Sequence, residues 1–285
     1  MQKSSPVRAG LASLMLLVAV APAAAAASAK PGAGPLQRIE IRYGISLIGL
    51  PIGTAAVIGT LGPKSYRLEA VGKLTGLAGV IVNSKGAATS SGSVVDGRTV
   101  PAAFAATAAN RNAMLTIRMS EARGAATGIE ITPPYEQKPD RVPLTEADKR
   151  NILDPLSSFF MPVSGEGDTV GPATCNRTLP LFDGGVRFDV VLAFSGTREV
   201  DGPGYKGPVA VCSARYRPHA GHRPDRPATK FMMDNKEMSV WLAPLAGTRY
   251  VVPYRISVLS MIGTTVVEAT SFKTEPDVTA SAGTR

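Results

Sequence analysis

The sequence predicts a mainly β protein, built as a curved antiparallel sheet or an open or half β-barrel with one or two short helices. Short runs of alternating apolar and polar residues recur along most of the chain, and this period of two is typical of half-buried strands. The 29 glycines and 23 prolines separate these runs into turns. Because both halves show the same pattern, we expect one continuous sheet system rather than two independent domains.

The first 29 residues are predicted to be a secretory signal peptide. Lys3 and Arg8 precede an apolar run, and an alanine-rich segment follows it. The run is too short to span a bilayer comfortably, so we expect cleavage between Ala25 and Ala29, with an uncleaved membrane anchor as the alternative. The product would be an exported, periplasmic protein with no stable membrane span.

Residues 30–273 are predicted to form a single β-rich periplasmic domain, followed by a flexible polar tail at residues 274–285. Residues 87–95 could be a strand or a loop, and Leu77, Val80 and Ile81 have the spacing of a short helix. The predicted strands cover residues 39–48, 54–58, 66–72, 113–119, 186–194, 209–216, 238–242, 251–259 and 264–272.

A second helix is predicted to begin at Pro155, with Asp154 as its N-terminal cap. It follows residues 133–143, whose four prolines and interspersed charges indicate an exposed connection.

Cys175 and Cys212 are the only cysteines, and they enclose the clearest strand pair in the chain. Residues 186–194 and 209–216 are joined by turn-forming residues, so we expect an antiparallel hairpin. In an oxidising exported compartment two cysteines favour a disulfide, with two buried free thiols as the alternative. A closed loop of about 38 residues would stabilise the fold by ~4 kcal/mol.

The formal net charge of +9 favours an anionic partner, such as an anionic lipid or a glycan. We expect no nucleic acid, because no recognition motif accompanies the charge. The candidate residues for an anionic ligand are Arg215, Arg217, Arg223, Arg226 and Lys230, since guanidinium groups bind phosphates and carboxylates well. A merely solvated basic loop is the alternative.

His219 and His222, with Asp225 nearby, are weak candidates for a metal site, because no helix supports their spacing. They are the only histidines, and no nucleophile elbow or zinc-protease motif is present. We therefore expect no cofactor and no catalytic residues.

Several motifs resemble a family of exported bacterial proteins known as domain of unknown function 3108. The first are Tyr43 with Gly49 and Gly53, residues 154–158 (Asp-Pro-Leu-Ser-Ser), and Phe182-Asp183-Gly184 with Arg187-Phe188; the others are Gly207 through Cys212 to Tyr216, and Trp241 with Pro253-Tyr254-Arg255-Ile256. The basic residue expected after Asp183-Gly184 is replaced by Gly185-Val186. The resemblance implies a periplasmic, β-rich protein with a curved open sheet like those of lipoprotein carriers, and it implies no catalytic residues.

These observations favour a non-catalytic periplasmic protein that maintains the cell envelope or binds a lipid-like ligand in the concavity of its sheet. One alternative is a structural partner that docks on another envelope protein through a sheet edge. A hydrolase without a recognisable motif is the other.

Overall fold

The computed structural model describes residues 37–75, 84–136 and 138–276, and these form fourteen strands and two short helices. The helices are α1 (Pro172–Cys175) and α2 (Pro227–Asp234), and a 3₁₀ turn covers Ser157–Phe159. The strands are β1 (Gln37–Leu47), β2 (Leu50–Leu61), β3 (Ser65–Leu74), β4 (Ser84–Val95), β5 (Arg98–Asn110), β6 (Met114–Ala122), β7 (Ala125–Thr132), β8 (Met161–Pro162), β9 (Arg177–Phe182), β10 (Arg187–Gly202), β11 (Tyr205–Ala220), β12 (Met238–Pro244), β13 (Tyr250–Ser260) and β14 (Gly263–Pro276).

The strands form one antiparallel sheet in the order β7-β6-β5-β4-β3-β2-β1-β14-β13-β12-β11-β10-β9, with β8 paired to β13 beside this path. Nearly every neighbour in the sheet is also a neighbour in sequence, so hairpins build it. The exception is the pair β1 and β14, which joins the two ends of the domain: Gln37 lies opposite Pro276 and Leu47 opposite Thr265.

The sheet curls back on itself, although its two edge strands do not pair with each other. A flat sheet of thirteen strands would separate β7 from β9 by about 58 Å, at ~4.8 Å per strand. Yet Ile152 N donates to Gly124 O, beside β7, at 3.1 Å, and Leu153 N donates to Pro180 O, on β9, at 2.8 Å. Two consecutive residues therefore hydrogen-bond to both edges, which requires strong curvature.

The predicted fold class is confirmed: the protein is mostly antiparallel β, the sheet is open, and the helices are short. Residues 87–95 lie within strand β4. β14 continues to Pro276, past the predicted end of the domain at residue 273. The predicted signal peptide, most of the predicted helix near Leu77 and the end of the predicted tail lie outside the described residues.

The prediction of an α-helix beginning at Pro155 is wrong, although Asp154 does act as a cap. Only the single 3₁₀ turn forms after it, because Phe160 is already extended and Met161–Pro162 pairs with β13 as β8. Pro162 also disfavours a helical conformation at the residue before it.

The predicted disulfide is confirmed: Cys175 on α1 bonds to Cys212 on β11, with their Cα atoms 5.4 Å apart. Both cysteines are fully buried in an apolar cluster with residues such as Leu192, Leu242 and Val251.

A second, larger apolar cluster fills the concave interior of the curled sheet. It includes buried aromatic side chains such as Tyr66, Phe104, Phe160, Phe182 and Tyr250. Side chains therefore occupy this part of the interior of the sheet.

Candidate functional site

The site is organised by residues 153–163, here called the crossing segment, which run from the bridged sheet edges across the molecule to β8. Asp154 fixes its start: Asp154 Oδ1 accepts hydrogen bonds from Leu156 N at 2.9 Å and Ser157 N at 2.8 Å. At the other end, Val163 N donates to Arg249 O at 2.8 Å. A short segment tied at both ends can form a stable wall for a pocket.

An apolar pocket of about 270 Å³ lies between the crossing segment and strands β9 to β13. Leu179, Leu192 and Val240 are buried at its base, and Leu156 and Phe159 cover it from the crossing segment. Ile256 is 36% exposed and lies at the rim, so the pocket has an opening to solvent. Side-chain polar groups in its lining are limited to serine hydroxyls.

A larger groove of about 550 Å³ adjoins this pocket and has a different character. The two share Ser158, Met161 and Leu179 in their linings, so they lie side by side along the crossing segment. The groove also contains Arg98 and Arg177. An apolar space is thus the neighbour of a space lined by two cations.

Neither arginine is neutralised by an acid. Among the described residues no carboxylate lies within 4.0 Å of either guanidinium. Arg177 instead donates to two backbone carbonyls, to Pro162 O at 2.8 Å and Ala173 O at 3.1 Å, while its buried Nε has no hydrogen-bond partner in the described chain. Burial lowers the pKa of Arg177 from its ordinary value, although an arginine remains a cation at neutral pH. A partly buried cation without a counter-ion favours an anionic ligand.

On the opposite side of the crossing segment, a buried polar cluster lies within the sheet interior. Ser90 Oγ donates to Asp154 Oδ2 at 2.9 Å, and Tyr66 Oη lies 3.3 Å from Ser90 Oγ. Glu121, on the inner face of β6, is only 5% exposed, and neither of its carboxyl oxygens has a hydrogen-bond partner in the described chain.

Burial, and then the nearby charge of Asp154, raise the pKa of Glu121 to about 8. Burial also raises the pKa of Asp154. The hydrogen bonds that it accepts favour its charged form and act in the opposite direction, but burial has the larger effect. Perturbed carboxyl groups can mark a catalytic site. These two, however, line neither the apolar pocket nor the adjoining groove.

The five basic residues predicted to bind an anion lie along β11, the connection that follows it, and α2. Arg215 and Arg217 lie on β11, Arg223 and Arg226 lie in the connection to α2, and Lys230 lies on α2. Three of them have internal partners: Arg215 donates to Lys236 O, Arg223 pairs with Asp140, and Lys230 pairs with Asp225. None of the five lines the pocket or the groove.

The two histidines and Asp225 are not brought together as a set of metal ligands. His219 Nε2 lies 2.9 Å from Asp189 Oδ2, whereas Asp225 lies 3.0 Å from Lys230 Nζ. Burial lowers the pKa of His222. Within the described ranges, no group of three histidine, cysteine or acidic residues is placed to hold a metal ion.

The sequence patterns did not single out Arg98 or Arg177 as partners in one site. They lie on β5 and β9, which are far apart in the chain and on opposite halves of the sheet. The sequence signal that could have pointed to Arg177 is its position two residues after Cys175, because the disulfide fixes the backbone there.

The fold and the pocket together define a class: a protein with a curled, open antiparallel sheet and an apolar pocket beside an arginine-lined groove. The chain belongs to the family of proteins of unknown function DUF3108, whose family model matches residues 38–270.

A search of solved structures finds a crystal structure described as a beta-barrel-like protein of domain of unknown function DUF1849 from Brucella abortus. It is 10% identical in sequence and superposes with a TM-score of 0.48, covering 84% of this chain and 98% of that one. No curated protein matches the sequence. In the part of the chain that the structure describes, none of the helices has the length and apolar character needed to cross a membrane.

Proposed function

We propose that the protein is a non-catalytic binding protein of the cell envelope, and that its ligand is an amphiphile with one apolar chain and an anionic head group. The observation that carries this proposal is that the apolar pocket adjoins the groove that holds Arg98 and Arg177, and shares three lining residues with it.

The size of the pocket suits a single chain. A volume of 270 Å³ takes about nine groups of the size of a water molecule, at ~30 Å³ each. A methylene group is of similar size, so a chain of about nine methylene groups fits. Most of the walls are aliphatic, so burying such a chain is favoured by the hydrophobic effect.

The groove suits the head group. Both Nη atoms of Arg177 donate to backbone carbonyls, so the position of its guanidinium group is fixed in advance. An anion at Arg98 and Arg177 would receive charge-assisted hydrogen bonds, which are about twice as strong as neutral ones. The same two cations would disfavour a neutral or cationic head group.

Binding without chemical change is supported by the separation of the two sites. The two buried carboxyl groups with raised pKa values, Glu121 and Asp154, lie inside the sheet, whereas the pocket and groove carry arginines, hydroxyl groups, one amide and apolar side chains. Docking of a partner on a sheet edge has less support, because residues 149–153 already hydrogen-bond to part of both edges.

Two measurements test the proposal. Protein purified from the periplasm is extracted with organic solvent and its lipids are identified by mass spectrometry; the purified protein is then titrated with a fluorescent fatty acid. We expect co-purified anionic amphiphiles and saturable binding of the probe.

Two variants locate the ligand. Ala214→Phe fills the pocket, since Ala214 lines it, and should abolish probe binding. The double variant Arg98→Gln with Arg177→Gln should weaken binding of the probe by about tenfold or more, because two charge-assisted contacts to its head group are lost. The matched controls are Ala103→Phe and Arg67→Gln, both at exposed positions on the outer face, and these should bind normally. Unchanged binding in the Ala214→Phe variant, with the protein folded, would contradict the proposal.

A further inference from the structure

Two neighbouring hairpin turns at one end of the sheet expose large apolar side chains to solvent. Ile48 is 68% exposed in the β1–β2 turn, and Met261 and Ile262 are 60% and 71% exposed in the β13–β14 turn. The turns are in contact, because Ile48 N donates to Thr264 O at 2.9 Å. We call residues 48–50 and 261–262 the apolar tips.

The apolar character of this end extends around the rim. β1, β3, β5 and β13 all end there, and Met114, the first residue of β6 at the same end, is 62% exposed. The four most exposed large apolar side chains in the described ranges, Ile48, Met114, Met261 and Ile262, therefore all lie at one end. The turns and adjoining strand ends at the opposite end carry mainly polar residues, including Lys64, Asp96, Arg123 and Asp201, beside the exposed Val95.

The backbone at Ile48 is in an unfavourable conformation for its side chain. Ile48 has φ of 51° and Gly49 has φ of 78°, the pair of positive values found in tight hairpin turns. The equivalent turn between β4 and β5 uses Asp96-Gly97, the favoured sequence for this geometry. A β-branched residue at positive φ is a rare outlier, and such outliers cluster where a side chain has a function.

Basic residues without acidic partners surround this rim. Lys73 lies directly opposite Lys85 on adjacent strands β3 and β4, an arrangement of like charges that disfavours pairing. In the described chain, neither lysine, nor Arg111 in the β5–β6 turn, has a carboxylate within 4.0 Å.

Acidic residues are absent from the strand ends and turns on this side of the rim. Residues 44–57, 70–75, 84–88, 106–117 and 257–267 contain no aspartate or glutamate. Asp234 is the last residue of α2, and Glu237 directly precedes β12, so the basic sector of the rim is the part formed by β1 to β6.

We propose that this end of the molecule docks on the surface of an anionic lipid bilayer, with the apolar tips inserted between head groups and Lys73, Lys85 and Arg111 above the phosphates. Projecting apolar turns ringed by unpaired cations complement a membrane interface, which is apolar below and negatively charged above. None of the apolar tips or of the three basic residues lines the pocket or the groove, and the proposal does not depend on a ligand there.

The experiment is co-sedimentation of the full mature protein with vesicles of phosphatidylglycerol and phosphatidylethanolamine, compared with vesicles of phosphatidylcholine alone. We expect partitioning onto the anionic vesicles that decreases as salt is added. The double variant Ile48→Asn with Ile262→Ser should reduce partitioning by about tenfold or more, since large aliphatic groups are removed from the apolar phase.

The matched control is Val95→Asn, which removes an apolar side chain, 51% exposed, from the opposite end of the sheet and should partition like the unmodified protein. Circular dichroism confirms that each variant is folded. Equal partitioning of the tip variant and the unmodified protein, or no partitioning by either, would overturn the proposal. Crosslinking of a residue placed at position 262 to an envelope protein rather than to lipid would overturn it as well, in favour of a protein partner.

Discussion

Ser90 Oγ donates a hydrogen bond of 2.9 Å to Asp154 Oδ2, and both residues are buried. This bond attaches the crossing segment to the inner face of β4. Asp154 also accepts from two backbone N–H groups, so one carboxyl group supports the segment that forms a wall of the pocket.

Asp154→Ala should therefore destabilise the protein strongly. It would leave two backbone donors and the Ser90 hydroxyl group without their acceptor, and unsatisfied buried groups cost about 1–3 kcal/mol each. We expect a loss of about 3 kcal/mol in the free energy of unfolding, measured by urea denaturation. Ser90→Ala removes one of the three bonds and should cost only about 1 kcal/mol. A similar loss of unfolding free energy in the two variants would mean that the hydrogen bonds from the backbone of Leu156 and Ser157 to Asp154 contribute little to stability.

Glu121 should make the protein less stable as pH rises through neutrality. Its pKa is about 8 when folded, against an ordinary value of 4.5, so the folded state retains a proton that the unfolded state loses. The contribution of Glu121 to stability is therefore fully present below about pH 4.5 and is lost progressively up to about pH 8, by at most about 1.4 kcal/mol per pH unit. Urea denaturation at several pH values should show this slope.

Glu121→Gln is the matching variant, because it keeps the shape of the side chain and cannot ionise. The slope between about pH 4.5 and pH 8 should become smaller, and the variant should be the more stable protein at pH 8. Identical pH profiles for the two proteins would show that Glu121 is ionised or solvated when folded.

The sequence predicted features that local patterns encode. The alternation at residues 186–194, followed by a turn and a second run, corresponds to the hairpin of β10 and β11, and Cys212 lies on the returning strand as expected. The same local reasoning failed at Pro155, where cap chemistry was present but pairing of Met161–Pro162 with β13 ended the helix after one turn.

The candidate site could not be predicted in this way, because it depends on contacts between distant parts of the chain. Arg98 follows a turn on one half of the sheet, and it meets Arg177 in one groove only because the sheet curls and the crossing segment passes between its halves. No spacing in the sequence reports that curvature. The clustering of bases between residues 215 and 230 was visible in sequence, whereas the internal partners Asp140 and Asp225 of Arg223 and Lys230 required the fold.

Breaking the disulfide should loosen the half of the sheet that forms the pocket. Cys175 attaches α1, just before β9, to β11, and both sulfurs are buried among the side chains of the smaller apolar cluster. Replacing both cysteines by serine should lower the free energy of unfolding by about 4 kcal/mol, from the loop-closure entropy of the unfolded chain. Thermal denaturation should show a lower midpoint. The unmodified protein in reducing agent serves as the comparison and should approach the variant, and equal midpoints in all three would exclude a stabilising bond.

Ile48→Asn should stabilise the fold while weakening the proposed membrane contact. Asparagine tolerates the left-handed conformation that Ile48 adopts at φ of 51°, and Asn-Gly is the preferred pair for this turn. Relief of that strain should raise the free energy of unfolding by about 1 kcal/mol, measured by urea denaturation. Asp96→Ile, in the equivalent turn at the opposite end, is the reverse substitution. It should lower the free energy of unfolding by a similar amount, and it should not increase binding to the anionic vesicles. A loss of stability in Ile48→Asn would show that the isoleucine is retained for packing within the turn, and that its exposed position has a structural rather than a membrane-binding cause.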